Sequence, residues 1–474
     1  MAPDRPPLPP GPYLVAGAGR AGFAAAEALA RVAGPEAVVV WPGDDGLLDA
    51  AALGRLDRLG VDTVSAEALG AVLALAGCIV TSPGMPDGAA PLREAAARGL
   101  PVIDELELGW RLTPRSVVAI TGTNGKSTVA ELLRRALDAG PPPEGLAGNT
   151  VFGPPLSALA GDPQRPAVVE VSSYQLRRTE AFLPDVAVLT YIGVDHLDQH
   201  GTVEDYVASK RRLFLRGERA AAVSVLPDDE HGRDFADAVR AAGGRVVSYG
   251  DSGGVDVRLV RGDGDTIELA TPQGPVRITG AWLPGAHNRR NLAAAVGGAI
   301  ACGIAREEIE QRLVGAGPPP GRMELLERPD GSRLILDYAH NEEGVRATLA
   351  ALREQVPQGG RLIAVVGARK RHIGSLAYGL GRGAATYADV VVVTGSARFL
   401  DGADAHANPH AVRGAGDRAI AVDDRAEAIA HALAIAGPQD LVAVLGGGAT
   451  QEVPRDDRIR VLRSDREVLG DLGL

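Results

Sequence analysis

The run Ile120-Thr121-Gly122-Thr123-Asn124-Gly125-Lys126-Ser127-Thr128 constrains this chain more than any other stretch. It closes a β-branched segment, Ser116 to Thr121, and opens a helical pattern from Val129 to Leu137. A strand, a glycine turn and a helix in that order bring backbone N–H groups and the positive end of a helix to one point, where phosphate oxygens are held. Lys126 adds a point charge there, and Ser127 or Thr128 a hydroxyl able to ligate Mg²⁺. The first glycine, Gly122, sits closer to Lys126 than the general phosphate-loop pattern has it. An ordinary strand-to-helix turn is the plain alternative; the context of strand, loop and helix favours ATP.

Around this motif the chain reads as α/β. Its 474 residues exceed what a single core usually organises, so several domains are expected. Aromatic residues are only 4% of the chain, so packing must rest on Ala, Val and Leu. A first domain, 1–113, has the strand Tyr13–Ala16, the turn Gly17-Ala18-Gly19-Arg20-Ala21-Gly22, a helical run Phe23–Val32 and further strands at 37–41, 78–81 and 101–103, a Rossmann-like order. A central phosphate-loop domain, 114–317, adds strands at 167–171 and 186–190, a helix from Val203 to Arg216, and an antiparallel insertion from Val255 to Thr279. The run Gly315-Ala316-Gly317-Pro318-Pro319-Pro320-Gly321 reads as a stiff linker. Beyond it, apolar runs at 334–337, 362–366, 390–394 and 441–445 predict a third domain, 318–474, with a buried parallel sheet.

A formal charge of -11 argues against a chain that coats nucleic acid. The start lacks a signal-peptide core and no apolar stretch is long enough to span a bilayer, so a cytoplasmic monomer without membrane insertion is expected. Cys78 and Cys302 have neither metal-ligand nor disulfide-framework spacing and read as buried thiols.

Further candidates gather at strand ends, where α/β sheets bind ligands. Gly17 and Gly19 belong to a turn that serves nicotinamide cofactors, other nucleotides or mere packing, and Asp44 and Asp45 downstream equally describe a surface turn. Glu170 follows a strand of the phosphate-loop domain and can hold Mg²⁺ or cap a turn. Asp195-His196-Leu197-Asp198-Gln199-His200-Gly201 concentrates metal-capable groups that also make ordinary caps. Tyr206 and Lys210 share one helix face, which by composition alone is a solvated basic surface.

Taken together, Thr121 to Thr128, Ala147-Gly148-Asn149, Glu170 to Leu176, Asp195 to Asp198 with Tyr206 to Lys210, and Gly285-Ala286-His287-Asn288 to Asn291 resemble the Mur ligases in order and spacing. The likeness is strongest to the family's glutamate-adding members, which Thr81 to Pro86 and Glu105-Leu106-Glu107 also fit. The resemblance implies a three-domain, ATP-dependent amide ligase of peptidoglycan precursor synthesis. Its first domain would bind a UDP-sugar-linked carboxylate substrate through Gly17 and Gly19, its central domain ATP, and its third domain the amino acid, with D-glutamate expected. It also implies two Mg²⁺ ions served by Ser127, Glu170 and a carbamylated Lys210. Asn149 and His196 would meet the sugar-linked substrate or metal, Asn288 and Asn291 adenine, and Arg322 and Asp337 the nucleotide.

The third domain departs from that branch. Asp337-Tyr338-Ala339-His340-Asn341-Glu342-Glu343-Gly344 stands where the glutamate-adding members carry Asp-Ser-Lys-Ala-Thr-Asn, and it looks more like cyanophycin synthetases and folylpolyglutamate synthases. Gly446-Gly447-Gly448-Ala449-Thr450 replaces their C-terminal segment. Arg369, Lys370, Arg371 and His372 offer another cationic site for the incoming carboxylate, or a solvated basic loop. A relative adding L-glutamate or another amino acid, a nucleotide-binding regulator, and a dehydrogenase built on Gly17 to Gly22 are the competing readings.

Overall fold

In the computed structural model, alternating apolar residues divide each parallel sheet between two faces. The described residues are 5–43, 48, 50–141, 144–148, 153–159, 163–195, 200–260, 266–328, 330–368, 374–395, 406–447 and 464–474. Asn149, His196, Asp198, the pair Asp44 and Asp45, the segment Arg369 to His372, and Gly448 to Thr450 lie outside them.

The amino-terminal lobe is a parallel sheet of β1 (Tyr13–Ala16), β2 (Val38–Trp41), β3 (Asp62–Thr63), β4 (Cys78–Thr81) and β5 (Val102–Asp104), in the order β3-β2-β1-β4-β5. Tyr13 and Val15 pack one core layer, and Leu14 and Ala16 the other, as the two-residue period of a strand requires. Strand order reverses between β1 and β4, so their C-terminal ends open the crevice where such sheets take ligands.

The central lobe starts with β6 (Val117–Thr121), β7 (Leu146–Gly148), β8 (Ala167–Glu170) and β9 (Val186–Leu189). A small hairpin, β10 (Leu215–Arg216) with β11 (Arg219–Ala220), precedes β12 (Val223–Pro227), β13 (Arg245–Gly250), β14 (Val257–Val260), β15 (Thr266–Ala270) and β16 (Val276–Thr279). Nine of these strands form one sheet, β16-β15-β14-β13-β12-β9-β6-β8-β7. Val118 and Ile120 face a layer containing the helices Lys126–Ala136 and Ala286–Ala301; Val117 and Ala119 face the other layer. Alanine and glycine let those two helices approach closely: an added Cβ at Gly298 would crowd Leu133.

The carboxy-terminal lobe holds β17 (Glu324–Glu327), β18 (Arg333–Asp337), β19 (Leu362–Gly367), β20 (Val390–Thr394), β21 (Ala419–Ala421) and β22 (Leu441–Leu445), in the order β17-β18-β22-β19-β20-β21. Only β17 runs antiparallel within it.

Four expectations are corrected. The helix expected from Val203 to Arg216 ends at Arg211, because Gly217, at φ +58°, turns the chain into the β10–β11 hairpin. Strands β12 and β13 stand in addition to the expected strands, between β9 and β14 in the sheet. The stretch 255–279 is antiparallel as expected across β14, β15 and β16, but β14 also pairs in parallel with β13, so the stretch extends the central sheet instead of standing apart as an insertion. Cys78 is buried, but Cys302 is partly exposed.

Candidate active site

The phosphate loop takes its shape from β9 beside it. Thr190 Oγ1 donates to the Asn124 carbonyl at 2.6 Å and Thr123 N donates to the Tyr191 carbonyl at 2.5 Å. Gly122, at φ +152°, lies so close to Thr190 that an added Cβ would overlap its hydroxyl. Gly125, at φ +88°, begins the helix Lys126–Ala136 against the Asn291 amide.

Three charged side chains converge on this loop. Lys126 Nζ donates to the carbonyls of Gly122 (3.1 Å) and Thr123 (3.0 Å). Burial lowers its pKa, Glu170 opposes that shift, and Arg322 reinforces it. Ser127 Oγ donates to Glu170 Oε2 at 2.8 Å, which brings a hydroxyl and a buried carboxylate together at the head of the helix. Lys210 is not the solvated residue its composition suggests: it is 2% exposed, donates to the Gly122 carbonyl at 2.8 Å and lies 4.4 Å from the Tyr206 ring centroid. Burial, with Lys126 beside it, drives its pKa well below the usual lysine value. Tyr206 Oη lies 2.9 Å from Thr123 Oγ1 and fixes the same helix to the loop.

Among the described residues no cluster of three or more His, Cys, Asp or Glu side chains could hold a metal. A hydroxyl and one carboxylate nevertheless fit Mg²⁺, which keeps several waters and takes phosphate oxygens alongside one or two protein ligands.

The other expected residues fall into three groups, the last of them Arg322 and Asp337 in the carboxy-terminal lobe. Asn288 and Asn291 are buried and bonded to each other at 3.2 Å, and Asn288 also donates to the Pro284 carbonyl at 3.0 Å, which leaves Asn291 against the loop at Gly125. Gly17 and Gly19 lie in the amino-terminal crevice. Gly17, at φ +104°, touches Ser82 at the end of β4, and an added Cβ at Gly22 would overlap the Gly17 carbonyl. Arg20 of that turn reaches the central lobe, donating to the Gly153 carbonyl at 2.7 Å.

The carboxy-terminal lobe meets the loop through residues that the sequence did not single out for this contact. Asn341 donates to Asp195 at 3.1 Å and lies 3.5 Å from the Asn124 amide, while His340 Nε2 lies 3.8 Å from Asp195. Tyr191 and Glu343 are neighbours, and burial raises the pKa of both. Asp337 accepts from the backbone N–H groups of Met323 (2.9 Å) and Ala339 (2.8 Å), so it anchors the end of the linker. Arg322 lies 4.8 Å over the Tyr338 ring. A separate concavity of about 500 Å³ is lined by Ser375, Tyr378, Arg382, His410 and Arg413. No spacing rule joins its two helices, Gly374–Tyr387 and Pro409–Ala415, so only the fold reveals it.

A phosphate loop on a parallel sheet, with a carboxylate and two lysines at its mouth, defines an α/β enzyme that uses ATP. The family model described as the Mur ligase middle domain matches residues 120–299, and that described as Mur ligase, glutamate ligase domain matches residues 321–448. A UDP-N-acetylmuramoylalanine--D-glutamate ligase of Pelotomaculum thermopropionicum is 30% identical over 447 residues, covering 90% of this chain and 91% of its own. A UDP-N-acetylmuramoyl-L-alanyl-D-glutamate--2,6-diaminopimelate ligase of Alkalilimnicola ehrlichii is 33% identical over 445 residues, covering 84% and 87%. The fold is shared with MurF from Acinetobacter baumannii, at a TM-score of 0.59 and 20% identity over 86% of this chain and 87% of that one. The chain belongs to the Mur ligase family and is an ATP-dependent amide-bond-forming ligase.

Proposed function

We propose that this chain joins glutamate, in the D form, to UDP-N-acetylmuramoyl-L-alanine in peptidoglycan precursor synthesis, as a cytoplasmic monomer. The observation that carries the donor half is the convergence of Lys126, Ser127, Glu170 and Lys210 on one phosphate loop. Residues 1–113 serve as the nucleotide-sugar lobe, 114–317 as the ATP lobe and 318–474 as the amino-acid lobe. Gly17 and Gly19, beside Ser82, form the crevice for the uridine diphosphate. Asn149 and His196 remain assigned to the sugar-linked substrate by resemblance, Asn288 and Asn291 to adenine, and Arg322 and Asp337 to the nucleotide.

In this reading a carboxylate oxygen of the first substrate attacks the γ-phosphorus of ATP and ADP leaves. The amine of the second substrate then attacks the acyl carbon, loses a proton, and phosphate departs. Lys126 is positioned to stabilise charge on the transferring group once phosphate replaces the Gly122 and Thr123 carbonyls as its partner. Mg²⁺ held by Ser127 and Glu170 would neutralise phosphate charge. The depressed pKa of Lys210 favours its neutral amine, the form that adds CO₂ and releases a proton to give a carbamate. That reaction would convert a costly buried cation into an oxygen ligand beside Glu170.

A second reading, the same chemistry with a different amino acid, is favoured by Asp337 to Gly344 and by the similarity to a diaminopimelate-adding relative. Arg382, His410 and Arg413 would then receive the extra carboxylate. Phosphate release with ATP, Mg²⁺, UDP-N-acetylmuramoyl-L-alanine and a panel containing D-glutamate, L-glutamate and diaminopimelate separates the readings. Turnover confined to D-glutamate is expected; turnover with no glutamate enantiomer sinks the first reading.

A further inference from the structure

We propose that His200 is a positioning residue that sets the spacing between the segments carrying Glu170 and Lys210, and thereby the site's grip on a divalent cation with its nucleotide. The inference rests on the ligase reading of those two residues. His200 is 6% exposed, and its ring centroid lies 5.8 Å from that of Tyr174 and 5.2 Å from that of Tyr206. Its Nε2 lies 3.0 Å from Ser173 Oγ and its Nδ1 lies 3.5 Å from Ser209 Oγ. The Ser209 hydroxyl donates to the Asp205 carbonyl at 2.8 Å, so towards the ring it can only accept. That selects the Nδ1–H tautomer and makes Nε2 the acceptor of the Ser173 hydroxyl.

Both hydroxyls stand next to the site. Ser173 opens a short helix, three residues after Glu170, and the Ser172–Gln175 capping box fixes its start. Ser209 directly precedes Lys210, and Tyr206, three residues earlier on the same face, is tied to Thr123 of the phosphate loop. One imidazole thus spans the end of β8 and the Lys210 helix, with a polar contact and an aromatic neighbour from each. Gln can reproduce one donor and one acceptor, whereas Phe fills the space and offers neither.

The test uses the full chain with Mn²⁺ in place of Mg²⁺ and a non-hydrolysable ATP analogue, reading bound Mn²⁺ by electron paramagnetic resonance, alongside steady-state turnover. His200→Phe is expected to weaken Mn²⁺ binding at least tenfold and to lower kcat at least tenfold, with a rise in KM for ATP. His200→Gln should stay within threefold of the parent in both. If His200→Phe does not fold, the double variant Ser173→Ala, Ser209→Ala removes the same contacts and should show the same losses. Mn²⁺ binding and kcat unchanged in the folded apolar variant, or equal impairment in His200→Gln, overturns the proposal. A parent chain that binds Mn²⁺ and the analogue but forms no amide refutes the ligase assignment alone, and the Mn²⁺ comparison still decides His200.

Discussion

The central lobe meets its two neighbours in different ways. Towards the amino-terminal lobe the seam is a shared core: Leu106 and Trp110, from the helix Glu105–Leu112, pack with Leu156 and Phe182, and the Trp110 and Phe182 rings meet edge to face at 5.6 Å. Buried carboxylates reinforce it. Glu105 accepts from Ser157 N at 2.7 Å, and Glu107 accepts from the N–H groups of Glu180 and Ala181 while pairing with Arg111. Towards the carboxy-terminal lobe the described contacts are mostly polar: Asn341 with Asp195 and Asn124, His340 near Asp195, and Trp282 Nε1 with the Met323 carbonyl at 3.1 Å. Among the described residues, the two apolar clusters of that lobe contain none from the central lobe. Water can replace polar contacts at small net cost but cannot replace a shared core. Parting one seam therefore breaks a shared core, and parting the other breaks mostly polar contacts beside the Pro-rich linker.

Four measurements break or sharpen that contrast. Lys126→Ala leaves both seams untouched and should cost at least 10³-fold in ATP-dependent turnover, about 4 kcal/mol, with the unfolding midpoint unchanged; near-normal phosphate release would remove the loop from the chemistry. Trp110→Ala opens a void in the shared core and should destabilise the chain by about 3–5 kcal/mol in urea unfolding. A loss below 1 kcal/mol would mean that the amino-terminal seam is no tighter than the other.

Glu105 tests the same seam through pH. Burial pushes its carboxyl up to about 7, against the opposing bonds from Ser157. The native state thus holds this proton more tightly than the unfolded chain does. Its contribution to stability is complete below about pH 4.3 and is lost as pH rises through about 7. Glu105→Gln removes the charge and keeps an acceptor for Ser157, so it should gain about 1–3 kcal/mol over the parent at pH 8 and nothing at pH 4.5. Equal midpoints at pH 8 would place the ionised carboxylate in water. The smallest effect is expected at the polar seam: Asn341→Ala should change stability by less than about 1 kcal/mol, yet lower kcat about tenfold if closure completes the site. A large stability loss with normal turnover would reverse the contrast.

The central strands were legible because a buried parallel strand is written as a continuous apolar run, and Val117–Thr121 followed by two glycines leaves little choice. Strand β13 escaped because Arg245, Ser248 and Gly250 interrupt its apolar residues, so Arg245 to Gly250 carries no continuous apolar run. Lys210 shows the converse limit. Its helix ends in Lys210 and Arg211 with Arg212 next, so composition describes a wet basic face, yet Tyr206 docks on Thr123, Lys210 bonds Gly122, and the lysine is buried. His200 was within reach, since it stands in the same segment as His196, but what a histidine does depends on the hydroxyls facing it from Ser173 and Ser209.

The sequence by itself determined the phosphate loop, the α/β class and the family, because strand period, glycine conformation and helix start are local matters that neighbouring residues settle. The tertiary structure decided which charges share the loop, that Lys210 is buried, and which seam is shared core and which is polar. Those properties arise from side chains far apart in the chain, whose energies depend on the water that folding removes between them.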